Sequence, residues 1–328
     1  MSWLVTGGAG YIGSHVVRAL IGSGRSVVVL DDLSSGHREF VAPEVPFVQG
    51  TIVDAADVER AFDQAGRSDG AGVVHGVIHL AGFKYAGVSV QQPLHTFEQN
   101  VTGMQVLLAA MIDLGITQLV FSSSAACYGS PDVELVTEDL PTHPESPYGE
   151  SKLNGEWLNR DVARVTQLRH TSLRYFNVVG SGEPDLYDTS PHNLFPLVLK
   201  ALSEGRTPMV RGDDYATPDG SCVRDYVHVA DVADAHVAAA RALEAGQLLA
   251  PVYNLGSGEG LSVLEIMAAM ARVTGIDFTP VIADRRPGDP DRIVASGALA
   301  ARDLGWAQRH TVDEMVQSAW SAWQSAPH

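Results

Sequence analysis

Cysteine is scarce in this chain of 328 residues, which contains two, Cys127 and Cys222. Two cysteines cannot build the disulfide framework of a small secreted protein, so they favour a reducing compartment. Long apolar runs are missing as well, because no segment approaches the roughly 20 apolar residues that a membrane-spanning helix needs. The N-terminal sequence MSWLVTGG has no basic residue, so we expect neither a signal peptide nor a transit peptide. Together these absences predict a cytoplasmic protein.

Basic residues are also in deficit, with 22 Lys and Arg against 39 Asp and Glu and a formal net charge of −17. The resulting field repels nucleic acids and anionic membranes, so neither is an expected partner. An anionic ligand would need a local cluster of arginine, lysine and backbone N–H groups. Apolar residues (45%) and charged residues (19%) occur in ordinary globular proportions, which excludes a disordered, coiled-coil or collagen-like chain.

Strand and helix patterns alternate over the first 180 residues. Near-continuous apolar strands are predicted at 3–6, 26–30, 45–48, 77–80, 119–122 and 172–176. Helices are predicted at 11–21, 54–64, 94–114 and 151–165. Buried strands that alternate with helices indicate a parallel sheet covered on both faces. We therefore predict an α/β fold, a doubly wound parallel sheet of the Rossmann type.

The sequence changes in character after Asn177. Loops rich in Pro, Gly and Asp are predicted at 181–191, 212–220 and 285–291, with helices at 229–243 and 263–274. We predict a first domain over residues 1–177 and a smaller substrate-binding lobe over residues 178–328, some segments of which return to the first domain. The segment 64–76 is expected to be a flexible surface insertion.

Residues 6–13 read TGGAGYIG and connect the first predicted strand to the first predicted helix. Gly7, Gly10 and Gly13 have the spacing of a dinucleotide-binding loop in its required context. Glycine lets the backbone turn tightly and approach a pyrophosphate, and the helix N-terminus offers unpaired N–H groups. A plain glycine-rich turn is the alternative.

Asp31 ends the second predicted strand, 18 residues after Gly13. A carboxylate at this position accepts hydrogen bonds from the adenosine ribose hydroxyls and repels a 2′-phosphate, so the cofactor predicted for the first domain is NAD. Two alternatives stay open: Asp31 caps a turn, and the nearby Arg38 accommodates NADP.

Tyr148 and Lys152 lie in SPYGESK at the start of a predicted helix, four residues apart and so on one helix face. Tyrosine is a poor base at its ordinary pKa of about 10. The Lys152 cation and a nicotinamide cation are expected to favour the phenolate, so that Tyr148 exchanges a proton with a sugar hydroxyl. Ser124, in FSSSAACYG at a strand end, is placed to hydrogen-bond the same oxygen. No metal is expected.

These motifs, together with LRYFNVVG, DGSCVRDYVHV and YNLGSG, resemble the extended short-chain dehydrogenase/reductase family. More narrowly, they are similar to its UDP-glucose 4-epimerase branch, over residues 3 to about 320. The resemblance implies NAD-dependent interconversion of UDP-glucose and UDP-galactose through a transient 4-keto sugar. It also implies a homodimer that associates through the predicted helices 94–114 and 151–165.

The resemblance further implies which residues hold each ligand. Ser124, Tyr148 and Lys152 match the catalytic positions. The expected cofactor contacts are Gly7, Gly10, Tyr11, Ile12, Gly13, Asp31, Asp32, Leu33, Ser34, Ser35, Gly36, Ile52, Leu80, Ala81, Gly82, Phe83, Lys84, Asn100, Ser122, Tyr148, Lys152, Tyr175 and Phe176. The expected contacts of the UDP-sugar are Lys84, Ser124, Tyr148, Asn177, Asn193, Leu194, Met209, Val210, Arg211, Arg224, Arg286, Asp289 and Ile293.

Four positions depart from the pattern of that branch. Thr51 stands where an aspartate hydrogen-bonds adenine, and Val88 replaces a glutamate. Arg211 stands where an aromatic residue stacks on uracil; a guanidinium plane can also stack. Ile293 occupies the position that gates the hexose pocket, where the branch has a large Tyr or a small Cys.

Three other functions compete with this interpretation. The first is a 4-epimerase of another UDP-sugar, with glucuronate, N-acetylglucosamine or a pentose as the sugar. Residues 177–185 contain no Arg or Lys to bind the glucuronate carboxylate, which favours a neutral hexose over glucuronate. A nucleotide-sugar dehydratase is the second, but it typically has Thr-Asp-Glu where this chain has Ser124, Ala125 and Ala126. A non-catalytic NAD-binding sensor is the third, and it would not need Tyr148 and Lys152.

Overall fold

The computed structural model describes residues 1–68, 74–285 and 289–326. The strands in these ranges are β1 (Ser2–Thr6), β2 (Ser26–Asp31), β3 (Phe47–Gln49), β4 (Gly76–His79), β5 (Gln118–Ser122), β6 (Arg169–Tyr175), β7 (Asn177–Val179), β8 (Met209–Arg211), β9 (Val223–Arg224), β10 (Tyr226–His228), β11 (Val252–Leu255), β12 (Leu261–Ser262), β13 (Val281–Ala283) and β14 (Arg292–Ile293). The α-helices are α1 (Tyr11–Gly22), α2 (Ala55–Ser68), α3 (Ala86–Ser89), α4 (Pro93–Phe97), α5 (Gly103–Asp113), α6 (Pro147–Val165), α7 (Leu194–Ser203), α8 (Val229–Glu244), α9 (Val263–Thr274), α10 (Ala298–Leu304) and α11 (Val312–Ser325).

Seven parallel strands form the main sheet in the order β11-β6-β5-β4-β1-β2-β3. The predicted α/β doubly wound fold is therefore confirmed. The order reverses between β1 and β4, because the chain first builds outward through β2 and β3 and then returns to the other side of β1. In open sheets of this kind, ligands bind in the crevice at the carboxyl ends of the strands beside such a reversal.

Helices cover both faces of the main sheet. On one face α1 and α8 pack together, burying Val16, Leu20 and Leu243 against the sheet. On the other face α2, α5 and α6 pack over a second core that includes Phe62 and Leu107. Both faces are buried, which explains why β1 (SWLVT) and β2 (SVVVLD) are almost continuously apolar.

A smaller core lies beyond the carboxyl edge of the sheet. There α7, α9 and α11 bury Phe195, Leu199, Met267 and Met315 together. Short strand pairs, β7 with β10 and β8 with β13, and the three strands β12-β9-β14 frame this region. β11 interrupts these segments in the chain, since it lies between α8 and β12, and it returns to the main sheet to pair with β6. Among the helices described, we find none that is long and apolar enough to span a membrane.

Three boundaries differ from the predictions. The single helix predicted at 94–114 is divided, because a π-helical turn at Glu98–Thr102 separates α4 from α5. The helix predicted at 151–165 begins earlier, at Pro147, since the Ser146 hydroxyl accepts the Gly149 N–H and caps it. The expected insertion at 64–76 is shorter: residues 64–68 belong to α2, β4 begins at Gly76, and residues 69–73 lie outside the described ranges.

Candidate active site

The loop between β1 and α1 has no space for side chains at two of its glycines. Gly7 has φ +73, and a Cβ there would lie 2.6 Å from the Ala81 nitrogen. A Cβ on Gly13 would lie 2.0 Å from the Gly7 carbonyl oxygen. Gly10 is open by comparison, with its nearest neighbour at 3.4 Å, and it precedes the first turn of α1. The loop is thus folded against β4, and the N-terminus of α1 presents its unpaired N–H groups.

Asp31 organises the next part of this edge. Its carboxylate accepts the N–H groups of Ala9 and Leu33, each at 2.9 Å. Asp31 is buried, and burial raises its pKa, although these two hydrogen bonds oppose the rise. Leu33 has φ +61, in the left-handed region that is strained for a residue other than glycine. Asp31 therefore also caps the turn, as the alternative interpretation predicted.

Arg38, the residue that could accommodate the 2′-phosphate of NADP, makes its contacts with residues other than Asp31. Its guanidinium donates to the Val41 carbonyl at 2.7 Å and lies over the Phe47 ring at 4.6 Å from the centroid. Asp32 and the following Ser34 and Ser35 are exposed. The buried charge at the end of β2 is therefore the negative charge of the Asp31 carboxylate, which repels a 2′-phosphate and so favours NAD over NADP.

Asn100 connects the segment after β4 to the helix that carries the catalytic tyrosine. Its Oδ1 accepts the Phe83 N–H at 2.6 Å, and its Nδ2 donates to the Phe83 carbonyl at 3.0 Å and to the Ser151 hydroxyl at 2.8 Å. Asn100 lies within the π-helical turn, a distortion that often marks functional sites. One side of the crevice expected at the carboxyl ends of the strands is thereby formed by Leu80, Ala81, Gly82, Phe83 and Lys84.

Ser124, Tyr148 and Lys152 come together at the carboxyl end of β5. The Ser124 hydroxyl accepts the Ala126 N–H at 3.1 Å and interacts with the Tyr148 phenol. The Lys152 ammonium donates to the Ser122 carbonyl at 2.9 Å and lies 5.9 Å from the centroid of the Tyr148 ring. The three side chains predicted from separate motifs thus share one location.

Burial determines the protonation of Tyr148 in the protein without NAD. It raises the pKa of Tyr148 to about 12, and the hydrogen bond with Ser124 opposes this only in part. Burial also lowers the pKa of Lys152 to about 8. The Lys152 ammonium is bonded to the Ser122 carbonyl and not to the phenol, so the prediction that Lys152 and a nicotinamide cation together favour the phenolate stays a prediction. Tyr148 is a neutral hydrogen-bond donor here.

Two neighbours of this group were not found from the sequence. Ser89 is fully buried, and its hydroxyl accepts the Tyr148 N–H at 3.1 Å, which fixes the first turn of α6. Glu156, one helical turn after Lys152, accepts Arg174 Nε at 2.8 Å and the Ser123 hydroxyl at 2.5 Å. The spacing of Glu156 after Lys152 could have suggested it, whereas nothing in the sequence relates Ser89 to Tyr148.

Several residues predicted to contact the UDP-sugar lie on β7, β9 and β14 and just before α7. Asn177 donates its backbone N–H and its Nδ2 to the Asp225 carbonyl, at 3.0 and 3.1 Å. Arg224 donates to the Pro290 carbonyl at 2.7 Å, and Ile293 on β14 pairs with it in register. Asn193 donates to Asp188 at 2.7 Å just before α7 begins with Leu194.

The remaining predicted residues are more dispersed. Arg211 and Met209 on β8 are exposed, while Val210 between them is buried in the smaller core. Ile52 packs in the core against Gly103. Asp289 is partly buried, and Arg286 lies outside the described residues. Of the last cofactor positions, Tyr175 ends β6, and Phe176 packs beside Ile293 on the Tyr128 side chain.

A family model decides the classification: the NAD dependent epimerase/dehydratase family matches residues 3–256. The chain belongs to this family. The UDP-glucose 4-epimerase of Lacticaseibacillus casei is 40% identical to this member of the family, over 100% of this chain and 98% of that protein.

Solved structures agree with this classification. The UDP-glucose 4-epimerase of Stenotrophomonas maltophila, with bound NAD and formylated UDP-arabinopyranose, has a TM-score of 0.92 at 37% identity and covers 99% of this chain and 98% of that one. That of Bifidobacterium longum, in complex with NAD+ and UDP, has a TM-score of 0.89 at 36% identity, with the same two coverages.

The described residues fit the cofactor of the epimerase/dehydratase family, which is NAD. Gly7 and Gly13 are tightly packed and keep the loop compact, while Gly10 leaves the outer face of the loop accessible. The Asp31 carboxylate would repel the 2′-phosphate of NADP, so it favours NAD. Within the described ranges, no group of three or more His, Cys, Asp and Glu side chains could hold a metal ion.

Proposed function

We propose that this protein interconverts UDP-glucose and UDP-galactose by NAD-dependent epimerisation at carbon 4 of the hexose. The observation that carries the proposal is the group of Ser124, Tyr148 and Lys152 at the carboxyl end of β5, on the same edge of the sheet as the dinucleotide loop after β1. The names of the similar proteins, which are UDP-glucose 4-epimerases at about 40% identity over the full chain, support the same substrate.

The cofactor contributes one part of the chemistry: NAD, when bound, supplies reversible oxidation of the sugar at carbon 4. The residues proposed to hold it are the glycine loop, Asp31 and the segment after β4 that Asn100 fixes. They retain the dinucleotide through backbone N–H groups and one carboxylate, which suits a protein whose net charge is −17. Retention between the two half-reactions prevents loss of the 4-keto sugar.

Tyr148 moves the proton at the sugar oxygen. The phenolate form of Tyr148 takes the proton of the 4-hydroxyl in the first half-reaction, and the resulting phenol returns it in the second, while the Ser124 hydroxyl bonds the same oxygen. Because burial raises the pKa of Tyr148 to about 12, the neutral phenol is ready to donate, and proton removal needs positive charge nearby. Lys152 is the buried cation of this group, 5.9 Å from the ring centroid.

The diphosphate must stay anchored while the 4-keto sugar presents its other face. We assign this role to Arg224, Asn177, Asn193 and Arg286, since guanidinium groups bind phosphate oxygens in pairs and amide groups donate to them. The sugar pocket then lies between Tyr148 and Ile293 and holds the hexose weakly, which allows it to rotate.

Turnover of UDP-galactose without added reductant tests the proposed function. UDP-glucose formation, followed with UDP-glucose dehydrogenase and NAD, is the expected result. A panel of UDP-N-acetylglucosamine, UDP-glucuronate and UDP-xylose identifies another sugar if one is preferred. A 6-deoxy-4-keto product would indicate a dehydratase, and the absence of any product would indicate a sensor; either result contradicts the proposal.

Substitution of Ile293 should change the preference for N-acetylated sugars. Ile293 packs against the cluster of Tyr128, Val136 and Ala295, and it is stiff at χ1 because it is β-branched. We expect the wild type to prefer UDP-glucose and UDP-galactose. Ile293→Ala should raise relative kcat/KM for the N-acetylated pair by about 10- to 200-fold, the range for hydrophobic pocket discrimination.

Ile293→Tyr is the opposing variant and should lower the same ratio. If the wild type uses both pairs equally and neither variant changes the ratio, Ile293 does not gate the pocket.

Purified protein should carry NAD without any being added. The reason is the close-packed glycine loop together with Asp31, and the need to keep the cofactor through both half-reactions. Denaturing the protein and assaying the supernatant enzymatically measures NAD, NADH and NADP separately. A supernatant dominated by NADP would contradict the role given to Asp31.

We also propose that the enzyme is a cytoplasmic homodimer formed through α5 and α6. Exposed apolar side chains on and beside these helices support this arrangement: Ile112, Leu114, Trp157 and Val165 are between 45% and 84% exposed. Exposed apolar side chains are typical of protein interfaces where they form one patch, so the proposal requires these four to lie in one. Cys127 and Cys222 are buried and do not form a disulfide with each other, which is consistent with a reducing compartment.

A further inference from the structure

Asp225 is a fully buried carboxylate that the proposed mechanism does not use. It lies directly after Arg224, between β9 and β10, and is 0% exposed. Among the described residues no Lys, Arg or His forms an ion pair with it. A buried charge without a counter-ion is costly unless hydrogen bonds compensate it, so its partners indicate what it holds.

The carboxylate accepts hydrogen bonds from two separate segments. Oδ1 accepts the Ser257 N–H at 3.0 Å and the Ser257 hydroxyl at 2.7 Å. Oδ2 accepts the Ala295 N–H at 2.9 Å. These bonds tie the loop after β11 and the strand that follows Ile293 to one point. A Cβ on Gly256 would lie 2.8 Å from Oδ2, so the loop is closely packed on the carboxylate.

The main chain of Asp225 holds a third segment. Its carbonyl oxygen accepts both the backbone N–H and the Nδ2 of Asn177, at 3.0 and 3.1 Å. Asn177 thereby has its side chain oriented by Asp225. Asp225 therefore contacts Asn177, directly follows Arg224 and fixes the backbone two residues after Ile293. Asn177, Arg224 and Ile293 all belong to the proposed UDP-sugar site.

We propose that Asp225 is the positioning residue of the UDP-sugar site, which holds Asn177, Arg224 and the Ile293 strand in the arrangement that binds the nucleotide sugar. This inference rests on the proposed function. Asp225 affects substrate binding and not the chemical step, because it makes no contact with Ser124, Tyr148 or Lys152.

Asparagine cannot replace the carboxylate in this role. Burial raises the pKa of Asp225 to about 6, while the N–H and O–H donors around it favour the ionised form, so at neutral pH both oxygens accept. In Asp225→Asn one oxygen becomes an NH₂ group that faces a donor. Either Ser257 or Ala295 then loses its acceptor, and the site loses its fixed geometry.

Asp231→Asn is the matched control. Asp231 is equally buried and also accepts backbone N–H groups, from Arg309 at 3.0 Å and His310 at 3.2 Å. Its partners belong to the segment before α11 and not to the proposed substrate site. Arg309 and His310 also form ion pairs with Asp231, so a general cost of replacing a buried carboxylate should be at least as large in Asp231→Asn as in Asp225→Asn.

The experiment compares the wild type with Asp225→Asn and Asp231→Asn, each as full-length protein with its NAD. We expect Asp225→Asn to raise KM for UDP-galactose, and the dissociation constant of UDP measured calorimetrically, by about 10-fold or more, with kcat within about 3-fold. NAD content should not change. Asp231→Asn should alter the thermal midpoint but neither KM nor UDP affinity.

Two results would overturn the proposal: equal UDP affinity in the two variants, or a fall in kcat with KM unchanged. If Asp225→Asn does not fold, Ser257→Ala decides, because it leaves the carboxylate in place and removes the 2.7 Å hydroxyl bond, together with the local bonds of that hydroxyl to Glu259. It should raise KM by a few-fold. UDP binding tests Asp225 separately from catalysis. If the wild type binds UDP but epimerises no UDP-sugar, the proposed function fails while the comparison of affinities still judges Asp225.

Discussion

Replacing Tyr148 with phenylalanine should reduce kcat by about 10²- to 10⁴-fold, the usual contribution of a positioned acid–base group. The phenyl ring keeps the packing beside Lys152 and removes only the hydroxyl that interacts with Ser124. Turnover of UDP-galactose by the purified variant measures the effect. NAD content and UDP affinity should stay at wild-type values, since the ring itself is retained.

Ser89→Ala provides a graded comparison for this variant. It leaves the phenol in place but removes the acceptor of the Tyr148 N–H, so it should lower kcat far less than Tyr148→Phe. Near-wild-type turnover in Tyr148→Phe would show that the proton moves by another route.

Acid should unfold the protein over the range in which three buried histidines take up protons. Burial lowers the pKa of His15 to about 4, of His79 to about 3 and of His236 to about 4. A folded-state pKa below the unfolded value of about 6.5 means full stability above pH 6.5 and progressive loss as the pH falls towards 4. At pH 5 each histidine should remove about 2 kcal/mol.

Burial is the main reason why these histidines resist protonation, and the hydrogen bonds of His15 and His236 to backbone carbonyls oppose it only in part. His15 Nδ1 lies 2.7 Å from the Tyr11 carbonyl, and His236 Nδ1 lies 2.8 Å from the Val232 carbonyl. His15 Nε2 accepts the Gly182 N–H at 2.9 Å, so an added proton there would face a donor. His236 Nε2 lies 2.7 Å from the Ser122 hydroxyl, which would have to turn to accept an added proton.

Asp225 partly offsets the loss of stability that the histidines cause in acid. Its pKa is raised to about 6, so its protonation adds about 1 kcal/mol to the free energy of unfolding as the pH falls to 5. The net loss between pH 7 and 5 should still be on the order of 5 kcal/mol, a large part of the stability of an ordinary domain.

Urea unfolding at a series of pH values measures the free energy of unfolding as a function of pH. His236→Gln should make this free energy depend less steeply on pH, and the same substitution of the exposed His143 should not. A free energy of unfolding that is flat from pH 7 to 5 would contradict the interpretation.

Motifs with local spacing were predictable from the sequence. The glycine loop, Asp31 at the end of β2 and the pair Tyr148 and Lys152 each depend on residues close together in the chain. Their chemistry follows from a known context of strand, turn and helix. The structure brings them to one edge of the sheet, because parallel strands end on the same side.

Features that depend on contacts between distant segments were not predictable. The π-helical turn at Asn100 depends on Phe83 and Ser151, and the support of Tyr148 by Ser89 joins residues 59 positions apart. The burial that raises the pKa of Tyr148 was not predictable either, because spacing indicates that a lysine is near but not that its ammonium bonds to the Ser122 carbonyl. Asp225 stood in a recognised motif, yet its partners lie 32 and 70 residues away.

The position of β11 has a consequence for how the chain is made. The edge of β6 is paired by Val252–Leu255, which leave the ribosome long after β6 itself. Until then a nascent chain exposes the unpaired N–H and C=O groups of a buried-type strand, which other chains can pair with. A fragment that ends at residue 177 would keep this edge permanently. We therefore expect such a fragment to aggregate, although it contains every residue of the glycine loop and the catalytic group.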